Sequence, residues 1–389
     1  MNKSVQYITH LGDLHCRNYS RKEEYYDCFK RFLKKQRELK PDRIIITGDI
    51  THQKSYMSGD LIKMMSWFFK ECLDICPLII INGNHDSVLY VKDRLDNVSP
   101  IVQSLDKKDI WHFTESGNYV DNYDENIVYC VWSCLDNQKD PQLNKYKEKY
   151  DKENKKTYIT LFHGQVKGCL TDQNFKFSEG FDINNFKNSS ICMLGDIHKR
   201  QSFEIKNDDN SICPILYCGS LICQNYSESN NKGFIFWDVK KRTYQFHSVE
   251  NDYGFYTIEL NGFDNLNNNP NEKNLKISKK PNIRVIWKDN SNNYSSIRQN
   301  EIKEYYQNKY NPISLTVNFD SVDSNELMNI DKDSSDNISN PEIQKKLILE
   351  FLIENNQIDD EELEIEIDGE LLKEKEHDGK LKPVCFDTL

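Results

Sequence analysis

The chain of 389 residues carries 62 acidic and 51 basic residues, a net charge of −11 at pH 7, and 37% of it is hydrophobic. That fraction is enough for a buried core, whereas the mean hydropathy of −0.76 and the lack of an apolar run approaching ~20 residues argue against a membrane-spanning protein. The N-terminal "MNKSVQYITH" has no apolar signal region, and the twelve cysteines form no CxxC pair. We therefore expect an intracellular protein that is not secreted, in a reducing compartment, either cytoplasm or nucleus.

The charge is unevenly distributed along the chain. Residues 321–370 hold 16 acidic and 3 basic residues, so the acidity belongs to a C-terminal segment and the remainder is close to neutral. A near-neutral main body leaves a nucleic-acid substrate open, because electrostatic steering depends on local patches rather than on the sum of charges.

Residues 1–250 alternate β-type apolar runs with amphipathic helical stretches. This alternation predicts an α/β fold whose sheets are buried on at least one face. Helices are predicted at 21–40 and 58–75 from apolar residues at three- and four-residue spacing. Strands are predicted at 5–11, 42–47, 77–82, 126–132, 157–162, 190–195, 214–219, 233–239 and 243–249.

The pattern changes after residue 250. Three short strands and a helix from residue 295 to 310 predict a small α/β cap domain at 251–320, with DNA binding as one role for it. The polar stretch 321–340 is typical of a linker. Residues 341–389 form an acidic tail that we expect to be helical and partly disordered; its amphipathic segment "PEIQKKLILEFLIENNQ" precedes the acidic run 359–370.

Asp, Asn or His side chains follow five of the predicted strands. In α/β sheets, binding sites form beyond the carboxyl ends of strands, so these side chains are expected to converge. Carboxylate, amide and imidazole together suit Mn²⁺, Fe or Zn²⁺ better than Ca²⁺. Any one of these short motifs could arise by chance, but five in this order indicate a metal site. The residues are Asp13 and His15, Asp49, Asn84 and His85, His163, and Asp196 with His198.

The series "GDLH…GD…GNHD…H…GDIH" across residues 8–200 resembles the motifs of the calcineurin-like metallophosphoesterases. It is most similar to the SbcD-type nucleases, which include the nuclease subunit of the MRN complex. Three features support that subgroup: "GDITHQ" with His52 in place of GDxxDRG, the segment "LYCGSLICQNYSESNNKGFIFWDV", and a small cap followed by a tail. The resemblance implies a four-layer α-β-β-α sandwich and a two-metal phosphodiesterase.

The resemblance also implies a role for each residue of the series. His85, next to Asn84, would be the proton donor to the leaving oxygen, and Asp86 would hold the His85 ring. His52 would contact the scissile phosphate or help to orient it. Asp49 would bridge two divalent metal ions. The first ion would also bind Asp13, His15 and His198, and the second Asn84, His163 and Asp196.

One position departs from the family pattern. The family carries GHxH where this chain reads "GDIH", so Asp196 stands in place of an imidazole. A carboxylate can bind the same metals and would make the second site harder and more negative. We expect Mn²⁺, with Mg²⁺, Fe or Zn²⁺ as alternatives.

The leading interpretation is a metal-dependent DNA exonuclease and endonuclease that acts in repair or recombination. The resemblance implies an SbcC-like, coiled-coil ABC ATPase as the partner, docked on residues 341–372, and it leaves a homodimer open. Two other interpretations remain: a metallophosphatase or cyclic-nucleotide phosphodiesterase of the same superfamily, and a scaffold without activity. The cap and tail argue against the former, and the full ligand set argues against the latter.

Overall fold

The structure is a computed structural model that describes residues 4–91, 94–273, 275–289 and 296–321, together with Lys373–Lys375 and Leu381–Pro383. The predicted tail helix beginning at residue 341, the acidic run 359–370 and nearly all of the linker lie outside the described residues.

The helices and strands follow one another in this order: β1 (Tyr7–Leu11), α1 (Lys22–Leu39), β2 (Arg43–Thr47), α2 (Gly59–Leu73), β3 (Leu78–Ile81), α3 (Ser99–Leu105), β4 (Ile110–Phe113), β5 (Gly117–Val120), β6 (Ile127–Trp132), α4 (Leu143–Tyr150), β7 (Thr157–His163), β8 (Ile191–Gly195), β9 (Gln201–Lys206), β10 (Ile212–Tyr217), β11 (Gly233–Asp238), β12 (Thr243–Ser248), β13 (Tyr253–Asn261), β14 (Lys280–Asp289), α5 (Ser296–Tyr310), β15 (Ser314–Ser321), β16 (Lys373–Lys375) and β17 (Leu381–Pro383).

Two six-stranded sheets form the body of the protein. The first has the order β12-β11-β1-β2-β3-β4 and the second β5-β6-β7-β8-β10-β9. Strands β1 to β4 run parallel in the first sheet, and β6, β7, β8 and β10 run parallel in the second. Parallel neighbours end at the same edge of a sheet, so the loops after β1, β2 and β3 lie side by side, as do those after β7 and β8.

Apolar side chains pack between the two sheets and between each sheet and the helices that cover its outer face. Ile45 of the first sheet and Leu161 of the second belong to the cluster between the sheets. Phe29 and Phe68, from α1 and α2, stack with ring centroids 4.0 Å apart in the cluster that covers the first sheet. On the other face of the second sheet, α4 and the 3-10 helix Ile183–Phe186 provide the cover. The predicted four-layer sandwich is therefore confirmed.

All nine predicted strands and both predicted helices of residues 1–250 are present. Five α-helices and β-strands of residues 1–250 were not predicted: β4, β5, β9, α3 and α4. They are short, and β5 and β9 lie at one edge each of the second sheet, where partial exposure removes the continuous apolar pattern that marks a buried strand. The strands β16 and β17 lie in the tail that was expected to be helical, so that expectation is wrong for these two segments.

Strands β13, β14 and β15 form a three-stranded sheet, and α5 buries Ile302 and Tyr306. The chain forms two compact units. The larger extends through Glu259 and takes in Asn268–Ile286 and Gln299–Asn318, and the smaller includes Leu260–Asn267 and Trp287–Arg298. The domain boundaries at residues 250, 320 and 340 remain predictions. Within the described residues, every helix is too short or too polar to cross a bilayer.

Candidate metal centre

Four residues at the ends of strands adopt a left-handed backbone. Asp13, His15, Asp49 and Asp196 have φ values of 52°, 44°, 50° and 96°. Such angles are uncommon outside glycine and cost on the order of 1–3 kcal/mol each. Neighbouring loops hold them, since Asp13 N donates to Gly48 O at 3.0 Å and His15 N to Asp49 O at 2.9 Å. The strained turns direct the side chains into one shared space.

The Asp49 carboxylate lies at the centre of that space. Its Oδ2 is 3.3 Å from His15 Nε2, and its Oδ1 is 3.3 Å from His163 Nε2. Burial alone would raise the pKa of Asp49, but the surrounding imidazoles, above all His163, outweigh it and hold the pKa well below its usual range. Asp49 is therefore a carboxylate whose two oxygens face two different groups of donors.

The first group of donors joins the loops after β1 and β8. His15 Nε2 and His198 Nε2 are 2.9 Å apart. Asp13 is fully buried beside them, and its Oδ2 has no hydrogen-bond partner. A buried carboxylate oxygen without a partner is costly. A cation bound between these three side chains would satisfy it, so the donor set fits a metal ion.

The second group surrounds His163. Its Nδ1 lies 2.7 Å from Thr47 O, so a proton on Nδ1 is donated to that carbonyl and leaves the Nε2 lone pair as a ligand. Nε2 is 3.2 Å from Asn84 Oδ1 and 3.8 Å from Asp196 Oδ1. Two carboxylates, an amide and an imidazole converge there, which again suits a divalent cation.

His85 and His52 stand beside the first group, with stacked rings whose centroids are 5.7 Å apart. The predicted contact between Asp86 and the His85 ring is wrong. His85 Nδ1 lies 2.8 Å from His52 O instead. The buried Asp86 carboxylate accepts from the backbone N–H groups of Ile50, Thr51 and Gly83, because these loop donors have no strand partner and a carboxylate at their centre satisfies them together. Asp86 thus shapes the loops that carry Asp49 and His85.

Two contributors were not predicted from the sequence. Thr47 supplies the carbonyl that orients His163, and backbone oxygens carry no sequence signal. Glu228 Oε1 lies 2.8 Å from His198 Nδ1, and its Oε2 lies 2.9 Å from Lys232 Nζ. A carboxylate on the far ring nitrogen of a ligand histidine fixes the tautomer and the ring direction. Glu228 is 30 residues away from His198 in the chain, so spacing gave no indication of the pair.

Comparison with known proteins agrees with this arrangement. Residues 7–200 match the family model of the calcineurin-like phosphoesterases. The chain contains a calcineurin-like metallophosphoesterase domain. This family uses two divalent metals, and the His/Asp cluster is the corresponding candidate site. The match to this family therefore supports assignment of the chain as a metal-dependent hydrolase of phosphoesters.

Three relatives of the metallophosphoesterase domain are informative. An uncharacterized protein of Acanthamoeba polyphaga mimivirus is 34% identical over 310 residues, which cover 77% of this chain and only 22% of that protein. The DNA double-strand break repair protein Mre11 of Nanoarchaeum equitans is 22% identical over 286 residues, covering 69% of this chain and 74% of that protein. Mre11 of Methanocaldococcus jannaschii is 28% identical over 272 residues, covering 66% and 63%. These distant similarities support a relationship to the Mre11 group.

The packing around Gly83 predicts that Gly83→Ala disrupts the metallophosphoesterase site. A Cβ there would lie 2.1 Å from Asp49 Oδ1 and 2.7 Å from His163 Cε1, so both ligands must move. We expect Mn²⁺ affinity, measured by calorimetry, to fall on the order of 10- to 100-fold, as when groups that hold metal ligands are lost. Gly59→Ala is the matched control, because a Cβ at Gly59 meets nothing within 4 Å. Equal Mn²⁺ binding by the two variants would contradict the geometry.

The contact between Glu228 and His198 predicts that Glu228→Gln weakens metal binding while every metal ligand remains. The variant keeps the side-chain shape but loses the charge that orients the imidazole, and we expect Mn²⁺ affinity to fall about 10- to 100-fold. Glu38→Gln is the control, since Glu38 is exposed on α1. An unchanged Mn²⁺ affinity in Glu228→Gln would show that the ring is held by other contacts.

Proposed function

We propose that this chain is a two-metal-dependent DNA nuclease that hydrolyses phosphodiester bonds as exonuclease and endonuclease in double-strand-break processing, repair or recombination. The observation that carries the proposal is the position of Asp49, whose two carboxylate oxygens face separate donor groups at equal distances of 3.3 Å. One carboxylate between two metals is what a clamp on both oxygens of an in-line displacement needs.

Each metal would have its own ligands in addition to Asp49. Asp13, His15 and His198 would hold one ion, and Asn84, His163 and Asp196 the other. When bound, the ions supply Lewis acidity at the phosphoryl group. We expect Mn²⁺, because the oxygens of Asn84 and Asp196 beside a single imidazole make the second group relatively hard.

The chain itself must supply a proton to the leaving oxygen. His85 has Nδ1 directed to His52 O at 2.8 Å, which leaves Nε2 as the nitrogen that can donate to substrate. The backbone N of His85 also donates to Asp49 Oδ1 at 2.9 Å, so the loop that carries the ring is tied to the Asp49 carboxylate. These two contacts would place a general acid beside the proposed ligands.

Two further side chains suit the binding of a phosphate. Burial and the nearby Arg17 guanidinium lower the pKa of His52 to about 4, so His52 is neutral at pH 7 and can donate a hydrogen bond. The Arg17 guanidinium lies close enough to His52 to affect its pKa, so it stands near the position at which His52 would meet a phosphate oxygen of the substrate backbone.

The two Mre11 relatives, which are named for DNA double-strand break repair, support DNA as the substrate. The proposal also keeps the coiled-coil ABC ATPase as partner and residues 341–372 as its docking element. Those residues lie outside the described part of the chain, so the resemblance alone supports the partner.

A direct assay of the purified chain tests the proposal. We expect Mn²⁺-dependent cleavage of labelled single- and double-stranded DNA, with slower turnover of p-nitrophenyl phosphate and of a cyclic nucleotide, because the small substrates lack the extended backbone. Faster turnover of either small substrate than of DNA would instead identify a phosphatase or cyclic-nucleotide phosphodiesterase. Tight Mn²⁺ binding without turnover of any substrate would identify a scaffold.

The role of His85 predicts that His85→Gln retains both metals and loses strand cleavage. Without the proton donor we expect kcat on DNA to fall ~10²–10⁴-fold. His247→Gln is the control, because His247 lies on β12 and its Nε2 has no hydrogen-bond partner. Undiminished cleavage by His85→Gln, at the same metal content as the unaltered chain, would remove His85 from the mechanism.

A further inference from the structure

A rigid loop beside the metal centre presents an exposed aromatic side chain. The loop leaves the end of β7, passes through Phe175 and returns to Phe181. Its two arms are joined by backbone hydrogen bonds, with Lys167 N donating to Phe181 O at 3.0 Å and Phe177 N donating to Cys169 O at 3.0 Å. Phe175 stands at the tip and is 63% exposed.

The tip of the loop is held in place by three hydrogen bonds and one aromatic contact. Thr171 N donates to Phe175 O at 2.9 Å, and Phe175 N donates to Thr171 Oγ1 at 3.2 Å. Lys199 Nζ donates to Asn174 Oδ1 at 2.5 Å, which ties the tip to the residue after the ligand His198. The Phe175 ring meets Phe177 edge to face, with centroids 5.4 Å apart. Phe175 is therefore displayed at a defined position.

Phe175 also lines an open groove that reaches the metal ligands. The groove has a volume of about 510 Å³, and its walls include Phe175, Phe177, Asn225, Asp196 and His198. Single exposed apolar side chains are common on protein surfaces. Phe175 differs because several hydrogen bonds hold its loop and because the candidate ligands Asp196 and His198 line the same groove.

We propose that Phe175 is a stacking platform for an unpaired nucleobase of the nucleotide next to the scissile phosphate. The proposal rests on the proposed nuclease function and specifies its substrate class. A phosphate at the metal centre places the attached nucleoside within reach of the groove. Aromatic side chains stack on any base through its π-face, whereas a base inside a duplex has both faces covered by its neighbours.

The polar side chains that line the rest of the groove are compatible with any of the four bases. The side chain of Asn225 is already hydrogen-bonded to Glu228 and Ser227, and the Thr171 hydroxyl accepts from Phe175 N. These groups are therefore poorly placed to select one base edge over another. Asp172, also in the groove, lies 3.8 Å from Lys232 Nζ, which reduces its repulsion of a nucleic acid. The site should therefore favour single-stranded or frayed DNA without a marked preference among the four bases.

Fluorescence of a modified base tests the inference directly. The full-length protein is titrated, before metal is added, with a short single-stranded oligonucleotide that carries 2-aminopurine, whose emission is quenched on stacking. We expect quenching with the unaltered chain, its loss in Phe175→Ala, and a Kd for the oligonucleotide that is about tenfold higher in that variant. Phe175→Trp should restore both, and Phe175→Leu should not, since leucine is apolar without a π-face.

Two controls separate stacking from a general loss of binding. An oligonucleotide with an abasic site in place of 2-aminopurine should bind the unaltered chain and Phe175→Ala equally. Tyr150→Ala should behave as the unaltered chain in binding and in DNA cleavage, because Tyr150 is exposed at the end of α4, beside the start rather than the end of β7.

Each result bears on the inference in one direction. Equal quenching by the unaltered chain and Phe175→Ala, or no quenching by either, would overturn it, even if the chain cleaves DNA. Quenching that depends on Phe175 in a chain that does not cleave DNA would support the base-binding site and contradict the nuclease proposal. The two conclusions therefore fail separately.

Discussion

The contact on which the domain depends is that of the Asp49 carboxylate with His15 on one side and His163 on the other. His15 follows a strand of the first sheet, and His163 is the last residue of β7 in the second. A buried charge is tolerated only where it is paired and hydrogen-bonded. The two histidines and the backbone N–H of His85 meet that requirement. Because the histidines come from different sheets, their contacts with Asp49 also link the carboxyl ends of the strands of one sheet to those of the other.

The surrounding strands and loops stabilise this buried and strained arrangement. Strained backbone at Asp13, His15, Asp49 and Asp196 persists because hydrogen-bonded neighbouring strands on both sides fix the turns. The glycine at position 83 lets a second loop approach within contact of Asp49. Asp86 collects the backbone donors of those loops. The chain's own hydrogen bonds thus fix the positions of the donors, and such support of the side chains around a site is what a metal site requires.

Chemistry and substrate choice are divided between different parts of the molecule. In the proposed function, residues at the ends of buried strands would hold the metals, whereas loops carry the side chains proposed to meet the substrate: His52 after β2, His85 after β3 and Phe175 after β7. Loops tolerate variation better than buried strands, so one metal centre can serve different phosphoesters. Asp196 belongs to both parts of the site. It is a candidate ligand in the turn after β8, and it also lines the groove beside Phe175. A carboxylate there adds negative charge to the second group of donors, and His163 Nε2 lies 3.8 Å from its Oδ1.

The sequence alone determined the features that arise from local pattern. Buried strands such as β2 and β7 appear as continuous apolar runs, with the candidate ligand Asp49 two residues after β2 and His163 at the last position of β7. Only the tertiary structure decided which groups contact each histidine ring. Asp86 was expected at His85 because the two are adjacent in the chain, but neighbouring residues point in different directions on a tight turn. Glu228 reaches His198 from a later loop, and Thr47 reaches His163 through a backbone oxygen that has no residue type. Such contacts depend on how the two sheets pack against each other, and that packing brings together atoms far apart in the chain whose pairing leaves no periodic trace in the sequence.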